Sequence, residues 1–197
     1  MDTMPENFLS ISLSWNDTQP PPGAVALGRF HGGRRTLLQW LETQLGLPFT
    51  STSQALRILH YAKLLQSKKQ TAYSDSLAAD LWGTSRNLLD RRDDLRLLGW
   101  DGKDNKDLPP LVRDLAAIEK AGDLLLAGEA ERLSVVLAAL AAGQRQPAHE
   151  QDLLEPADIW PKAWQSVLAK LSTVDVADKS KTTAPAGSTL RAVQTNF

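Results

Sequence analysis

Apolar residues at helical spacing recur through most of this chain, and this pattern restricts it to a fold built mainly of amphipathic helices. The segment between Gly128 and Gly143 is the clearest case, because its apolar residues follow the i, i+3, i+4, i+7 spacing of a helix with one buried face. That stripe consists of Leu133, Val136, Leu137 and Leu140. Similar stripes elsewhere lead us to predict five or six amphipathic helices in packed layers.

Several of these helices have recognisable ends. Gly46 and Gly99 follow the first and third stripes, where a residue in the left-handed conformation closes the last turn. Ser53 is the expected N-cap of the second helix, and the pair Pro109 and Pro110 begins the fourth. The expected core positions are Leu37, Leu38, Leu41 and Leu45, then Leu56, Leu59 and Leu64, then Leu81, Leu88, Leu89 and Leu95, then Leu111, Leu115 and Ile118, and after Pro161 Trp164, Val167, Leu168 and Leu171.

The N-terminal segment has a different period. Between Leu9 and Trp15 apolar residues alternate with serines, which predicts an extended strand with one apolar face. Three consecutive prolines make residues 16–23 a loop, and residues 24–30 are a candidate second strand. The predicted fold class is therefore α/β and predominantly helical, with one or two N-terminal strands followed by the helices.

Composition along the chain predicts its domain organisation. Residues 1–171 contain enough apolar side chains for one helix-rich domain, within which residues 144–152 form a polar link and a short strand ends near Trp160. Residues 172–189 are rich in Ser, Thr, Lys, Ala and Pro, so we predict a flexible linker there. Residues 190–197 return to helical spacing and look like the start of an element that is cut off.

The overall composition excludes several classes of function. The 22 Lys and Arg residues nearly cancel the 23 Asp and Glu residues, so any contact with DNA is expected to be local. The absence of cysteine excludes disulfides, thiolate metal sites and a cysteine nucleophile. The three histidines are too scattered for a metal motif, and no apolar run approaches the about 20 residues of a membrane span. We predict a cytoplasmic location, no cofactor, no bound metal and no membrane partner.

A glycine-rich turn precedes the first helix and has the layout of a phosphate loop. Its members are Gly28, Gly32, Gly33 and Arg34. A working loop of this kind needs a lysine for the phosphates and an adjacent hydroxyl for magnesium, and here Arg34 and Arg35 occupy those places. We therefore interpret the turn as a degenerate phosphate loop, in which Arg34 and Arg35 are candidate contacts for nucleic acid. The alternative is an ordinary turn from strand to helix with solvated arginines.

A second group of charges lies in the third predicted helix, where arginines alternate with aspartates between residues 86 and 96. Arg91 and Arg92 are candidate contacts for nucleic acid, because the stretch carries one more arginine than aspartate. Phosphate binding depends on unpaired basic side chains, and the aspartates compete for these arginines. The alternative is a solvated helix face whose charges pair among themselves.

The remaining residues do not assemble into a catalytic site. Glu150, Glu155 and Asp158 could suggest a carboxylate cluster, but no lysine or histidine stands at a useful spacing from them. Six tryptophans are many for this length, and their positions favour roles in the core or at an interface over stacking on bases. We predict no catalytic residue in this chain.

Three strings taken together resemble a known family. They are TLLQWLETQLGL at residues 36–47, DLWGTSRNLL at residues 80–89 and RDDLRLLGW at residues 92–100. In order and spacing they are similar to the N-terminal part of large bacterial AddB-like proteins, and the resemblance spans most of residues 8–197. Such proteins carry a divergent superfamily I helicase-like region and a PD-(D/E)XK nuclease domain far downstream, and they are linked to double-strand break processing and recombinational repair.

The resemblance implies a leading fragment of an ATP-dependent helicase and nuclease component, acting with a partner subunit or with the downstream nuclease domain. Its departures from the family imply a non-catalytic region. Arg34 and Arg35 replace the catalytic lysine and hydroxyl, and the acidic and lysine residues at 178–181 lie in the predicted linker, not on a nuclease strand. Two alternatives stay open: a free-standing helical adaptor for protein–protein interaction, and a vestigial nucleotide-binding protein.

Overall fold

The computed structural model describes residues 9–13, 30–48, 52–68, 71–120, 125–143, 151–171 and 173–175. The chain divides into two compact units, where the sequence analysis expects a single domain over residues 1–171. The first unit comprises residues 1–37, 148–159 and 171–197, and the second comprises residues 38–147 and 160–170.

The first unit contains a four-stranded parallel sheet. Its strands are β1 (Leu9–Ile11), β2 (Phe30–Gly32), β3 (Gln151–Leu153) and β4 (Thr173–Asp175), in the order β2-β1-β3-β4. Leu9 lies opposite Phe30 on one side and Gln151 on the other, so β1 is central. Because the chain moves to one side of β1 for β2 and to the other side for β3, the strand order reverses at β1. Crevices at the carboxyl ends of strands at such a point are where open α/β sheets bind ligands.

The two later strands correct the sequence analysis. β3 lies partly in the predicted polar link and β4 lies in the predicted linker, so the linker prediction is wrong at Thr173–Asp175. Residues 176–197, including the predicted truncated element, lie outside the described residues. Strands of three residues are stabilised by pairing with strands that are distant in the sequence. Local composition cannot predict such pairing.

The two N-terminal strands, β1 and β2, each overlap a predicted strand but differ from it in their bounds. β1 begins where the alternation of apolar residues begins, but it ends at Ile11, and the rest of the alternating segment lies largely outside the described residues. β2 begins at Phe30, the last residue of the second predicted strand, whose other residues also lie outside the described ranges.

Helices dominate the described residues and confirm a predominantly helical α/β fold. They are α1 (Arg34–Gln44), α2 (Gln54–Gln66), α3 (Ser74–Ala79), α4 (Leu81–Leu97), α5 (Pro110–Glu119), α6 (Glu129–Ala141) and α7 (Lys162–Leu168), with a 3-10 helix at Ala157–Ile159. The short helix α3 was not predicted. The 3-10 helix occupies the place where a strand ending near Trp160 was expected, so that expectation was wrong.

The predicted helix ends are confirmed. Gly46 and Gly99 have positive φ angles of 65° and 99°, and each is followed by the backbone hydrogen bonds that close a helix in a Schellman motif. Ser53 accepts a hydrogen bond from the N–H of Leu56 at 3.2 Å, and α5 begins at Pro110. These signals are local, which is why sequence alone could identify them.

The core of the second unit lies between α2, α4 and α5. It is built from Ile58, Tyr61, Leu64, Leu65, Tyr73, Leu88, Leu89, Leu115 and Ile118. Two expected core residues of α2, Leu56 and Leu59, are instead 44% and 46% exposed, and Leu81 of α4 is also exposed. The buried face of α2 includes a charged residue, Arg57, so apolar spacing alone misplaced that face.

Candidate functional site

The predicted phosphate loop is a tight turn from β2 into α1. Gly32 ends β2, and the carbonyl of Gly33 accepts the first helical hydrogen bond, from Leu37 N–H at 3.1 Å. A Cβ atom added at Gly32 would lie only 2.6 Å from Thr36 Cγ2. The close approach of strand and helix therefore requires glycine at position 32, whether or not a phosphate binds there.

The arginines of this turn open the helix. Arg34 and Arg35 are the first two residues of α1, with Arg34 partly buried and Arg35 exposed. The first N–H groups of a helix have no partner within the helix, and they lie at the positive end of its dipole. The positive charges of the two arginines therefore lie at the same helix end as these backbone donors. Gly28 lies outside the described residues. Phosphate binding by this turn stays a prediction.

A carboxylate occupies the carboxyl ends of the two central strands. Glu155 accepts a hydrogen bond from Ser12 Oγ at 2.5 Å on one oxygen and from Leu13 N–H at 3.0 Å on the other. Ser12 follows β1 directly, and Glu155 follows β3 closely. An anionic ligand at this edge of the sheet would need these two donors. Both already bind the carboxylate of Glu155. From the sequence alone, Glu155 had no predicted role.

In the second unit, Arg92 is a buried ion-pair centre and not a surface contact. Its side chain is 3% exposed, and it holds Glu119 through two hydrogen bonds, Nε to Oε1 at 2.7 Å and Nη2 to Oε2 at 2.9 Å. Nη2 also lies 2.7 Å from Glu131 Oε1, and Nη1 donates to Asp93 at 2.9 Å. Arg92 was predicted to contact nucleic acid. That prediction is corrected here, because burial and three carboxylates leave it unavailable to a phosphate.

The same network extends to three helices besides α4. Arg57 of α2 makes two hydrogen bonds to Asp93, at 2.7 and 3.0 Å, and Arg96 lies 3.6 Å from Glu131 of α6. We call this group the arginine cluster; its members are Arg57, Arg92, Arg96, Asp93, Glu119 and Glu131. Its three cations balance its three anions, which is the condition under which buried charges are tolerated.

Neither alternative reading of the charged stretch in α4 described this cluster. The solvated face fits Arg86, which is 65% exposed and lies 3.8 Å from Asp90 one turn away. It does not fit Arg92, whose main partner, Glu119, lies on α5. One usable signal was the glycine at 128 with glutamate three residues later. A glutamate at the third helical position can accept a hydrogen bond from the N-cap N–H, as Glu131 does from Gly128, which places Glu131 at a helix start.

The pKa directions agree with this geometry. Burial disfavours the charged form of Arg92, but its bonds with Glu119 and Glu131 outweigh burial and raise the pKa of Arg92 above its ordinary value. Burial also works against ionisation of Glu131, yet Arg92 and the N–H of Gly128 hold the pKa of Glu131 below its ordinary 4.5. Burial, followed by the charge of Glu119, raises the pKa of Tyr61 above 10.0, so its phenol stays neutral.

Gly128 fits the cluster sterically. Its N–H donates to Glu131 Oε2 at 2.8 Å, and a Cβ atom at this position would lie 2.5 Å from Arg57 Nη2. Because that guanidinium is fixed by two hydrogen bonds to Asp93, it has little freedom to move away. The packing of Arg57 therefore requires glycine at position 128, although the backbone φ of −99° there is open to any residue.

A cavity of about 580 Å³ borders the cluster. It is lined by Arg92, Arg96, Asp101, Gly102, Lys103, Asp104, Glu119, Lys120, Leu125 and Glu131. Its four cationic side chains are matched by four carboxylates, so it has no preference for an anion. We regard it as the solvated border of a structural network.

Arg91, the neighbour of Arg92, has entirely different surroundings. It is exposed, it forms no ion pair with any described residue, and it lines a groove of about 320 Å³ between α3, α4 and the start of α5. The groove is lined by Ala72, Tyr73, Ser76, Thr84, Asn87, Leu88, Arg91 and Leu111. None of these lining residues is acidic. Of the predicted contacts in α4, only Arg91 is available to a ligand.

The described tryptophans are mainly structural. Trp160 and Trp164 are buried and pack edge to face at 5.7 Å, and Trp164 Nε1 donates to Glu129 at 2.6 Å. Trp82, at the start of α4, is the exception, since it is 49% exposed. Trp15 lies outside the described residues. Core packing is thus observed for Trp160 and Trp164.

Among the described residues, no group of three or more His, Asp or Glu side chains is arranged to hold a metal ion. None of the helices in those ranges has the length and apolar content that crossing a membrane requires. Comparison of this chain with family models, with curated proteins and with solved structures found no match.

Proposed function

We propose that this chain is a non-catalytic, helicase-like scaffold that contacts DNA, and that it acts within an AddB-type helicase and nuclease protein in double-strand break processing. Three things support the proposal: the resemblance of the strings at 36–47, 80–89 and 92–100 to that family, a parallel sheet whose order reverses at β1, and a long helical unit inserted between β2 and β3.

The observation that carries the proposal is the start of α1. Arg34 and Arg35 stand where phosphate-loop catalysis needs a lysine and a magnesium-binding hydroxyl. Guanidinium groups pair well with phosphate but do not bind magnesium. A turn of this kind is suited to holding a nucleic-acid backbone and unsuited to hydrolysing a nucleotide.

Three of the four predicted arginines remain candidates for DNA contact. Arg34 and Arg35 lie in the first unit and Arg91 in the second, whereas Arg92 is withdrawn because it is buried and paired. With few contacts, we expect moderate affinity that depends strongly on salt.

The test is binding of fluorescein-labelled blunt duplex and single-stranded DNA by the purified chain, followed by anisotropy over a salt series. Replacing Arg34 and Arg35 with Gln together should weaken binding and make the plot of log K against log salt less steep by about 0.9 for each lost contact. Arg86→Gln is the matched control, because Arg86 is exposed and already paired with Asp90. Equal binding by all three proteins would refute the role of the turn.

One observation favours the alternative of a helical adaptor. Several large apolar side chains of the second unit are exposed, namely Leu56, Leu59, Trp82, Leu98 and Val135. Such residues are typical of protein–protein interfaces when they form a continuous patch. A chain that binds no DNA at low salt, but self-associates in sedimentation experiments less strongly once Trp82 and Leu98 are replaced by Ser, would support this function instead.

A further inference from the structure

We propose that the groove around Arg91 is an anion subsite that binds one phosphate group, and that in the protein's function this phosphate belongs to a DNA backbone. The DNA part of this inference rests on the proposed function. The subsite itself rests on the charge, exposure and lining of the groove.

Helix α4 carries one arginine that no carboxylate of the described residues pairs with. Three of its four arginines are paired with carboxylates: Arg86 with Asp90, Arg92 with Glu119, and Arg96 with Glu131. Arg91 alone has no ion pair with a described residue, so its charge is available to a ligand.

The side chains that line the groove are compatible with a bound anion. Apart from Arg91, the polar side chains of the groove are the neutral groups of Tyr73, Ser76, Thr84 and Asn87. Thr84 Oγ1 already donates to the Ser76 carbonyl at 2.9 Å, and the Tyr73 hydroxyl is buried. The Ser76 hydroxyl and the Asn87 amide are therefore the groups that can donate to phosphate oxygens, and none of the four side chains repels an anion. The cavity beside the arginine cluster has more cations, but its equal number of carboxylates removes the preference for an anion.

Two polar groups beside the groove, Asp114 and the Tyr73 hydroxyl, have defined surroundings. Asp114 is the carboxylate beside the rim, and it already accepts a hydrogen bond from Ala72 N–H at 2.7 Å. The hydroxyl of Tyr73 is buried beside Thr71 and makes no hydrogen bond of ordinary geometry with the described residues. Asp114 therefore holds the backbone at the rim and forms no ion pair with Arg91.

The experiment compares the full chain with Arg91→Gln, Arg91→Lys and Asn87→Asp, using Arg86→Gln as the control that removes the same charge outside the groove. Arg91 and Asn87 are exposed, so all variants should fold, and their urea midpoints verify this. The probes are single-stranded and duplex DNA by anisotropy, and inorganic phosphate by chemical shifts of the Asn87 side-chain amide and the Thr84 amide.

The expected result is a loss of about tenfold in DNA affinity for Arg91→Gln, with a salt dependence less steep by about 0.9. Arg91→Lys should keep the salt dependence, because it keeps the charge, and Asn87→Asp should bind worst, because it adds a carboxylate to the groove. Equal losses for Arg91→Gln and Arg86→Gln would overturn the subsite while leaving DNA binding by the scaffold intact.

If the chain binds no DNA, the proposed function fails, and inorganic phosphate then decides the subsite separately. Saturable phosphate shifts at Asn87 and Thr84 that disappear in Arg91→Gln would support an anion subsite served by a free phosphate or a nucleotide. Absence of such shifts at millimolar phosphate would overturn it.

Discussion

Arg91 and Arg92 are adjacent in sequence, yet they lie in two regions of the second unit that differ in almost every physical respect. Arg92 is buried at the centre of the arginine cluster, where Glu119 and Glu131 from two other helices hold it. Arg91 is exposed, borders a groove without carboxylates and has no ion pair with a described residue. Successive residues of a helix point about 100° apart, so one step along α4 separates the core from the surface.

The contrast shows that the role of an arginine cannot be predicted from the charges next to it in the sequence. In the arginine cluster, ion pairs join helices, so removing a charge should lower the free energy of unfolding. In the Arg91 groove, the charge is exposed, so removing it should lower the affinity for a ligand and leave stability unchanged. The predictions below test this separation, beginning with the largest expected effect.

Breaking the centre of the cluster should cost most. Replacing Arg92 with Met leaves Glu119 and Glu131 without their main cation, and removing one partner of a buried ionic network typically costs about 3–5 kcal/mol. Arg91→Met is the matched control on the next residue, and an exposed, unpaired position should change stability by less than about 0.5 kcal/mol. Urea unfolding of both variants measures the difference. Similar losses in the two would mean that the regions are not distinct.

Gly128 tests how tightly the cluster is packed. Gly128→Ala places a methyl group against Arg57 Nη2, and overpacking of this kind should destabilise the chain by about 1–3 kcal/mol. In an Arg57→Ala background the same substitution should be nearly neutral, because the obstructing group is gone. A double-mutant cycle measured by urea unfolding gives the coupling. If Gly128→Ala costs the same in both backgrounds, the steric explanation is wrong.

Acid should weaken the cluster through Glu131. Its pKa is lower in the folded chain than its ordinary 4.5, so folding is favoured by the ionised form. That contribution is fully present above the ordinary value and is lost as pH falls through the folded-state pKa. The stability gap between the native chain and Glu131→Gln should therefore be wide at pH 7 and narrow steadily below about pH 4.5. A gap that does not change with pH would contradict the ion pair with Arg92.

The smallest effect is expected at the exposed pair of Arg86 and Asp90. Both side chains are well solvated and their charges are 3.8 Å apart, so Arg86→Ala should cost only about 0.3–0.5 kcal/mol, an amount that salt reduces. Measurement at low and high salt by thermal unfolding shows whether the cost disappears. A loss comparable to that of Arg92→Met would remove the distinction between exposed and buried pairs in α4.

Local features were predictable because the residues that produce them are neighbours in sequence. The ends of α1 and α4 at Gly46 and Gly99, the cap at Ser53 and the start of α5 after Pro109 were all recognised correctly. The buried face of α2 was not. A helix that buries Arg57 beside Ile58 looks irregular to a rule based on apolar spacing, and the reason for the burial, Asp93, is 36 residues away.

The candidate site was predicted in part for the same reason. The turn at Gly32 and Gly33 and the arginines that follow it lie within one short segment, and the structure places them as a strand-to-helix turn. For Arg91 and Arg92, sequence provided the charge but no means of telling them apart. The role of Glu155 at the end of β3 was missed, because its partner Ser12 lies 143 residues earlier in the chain.

The amino-acid sequence by itself determined the helix-rich α/β class and several of the helix ends, because these depend on periodicity and on interactions within a few residues. Only the tertiary structure decided which strands pair in the sheet, which arginine is buried and which faces a groove. Those outcomes depend on desolvation and on partners far away along the chain, and a charged side chain has the same identity in the sequence whether or not folding brings a carboxylate to it.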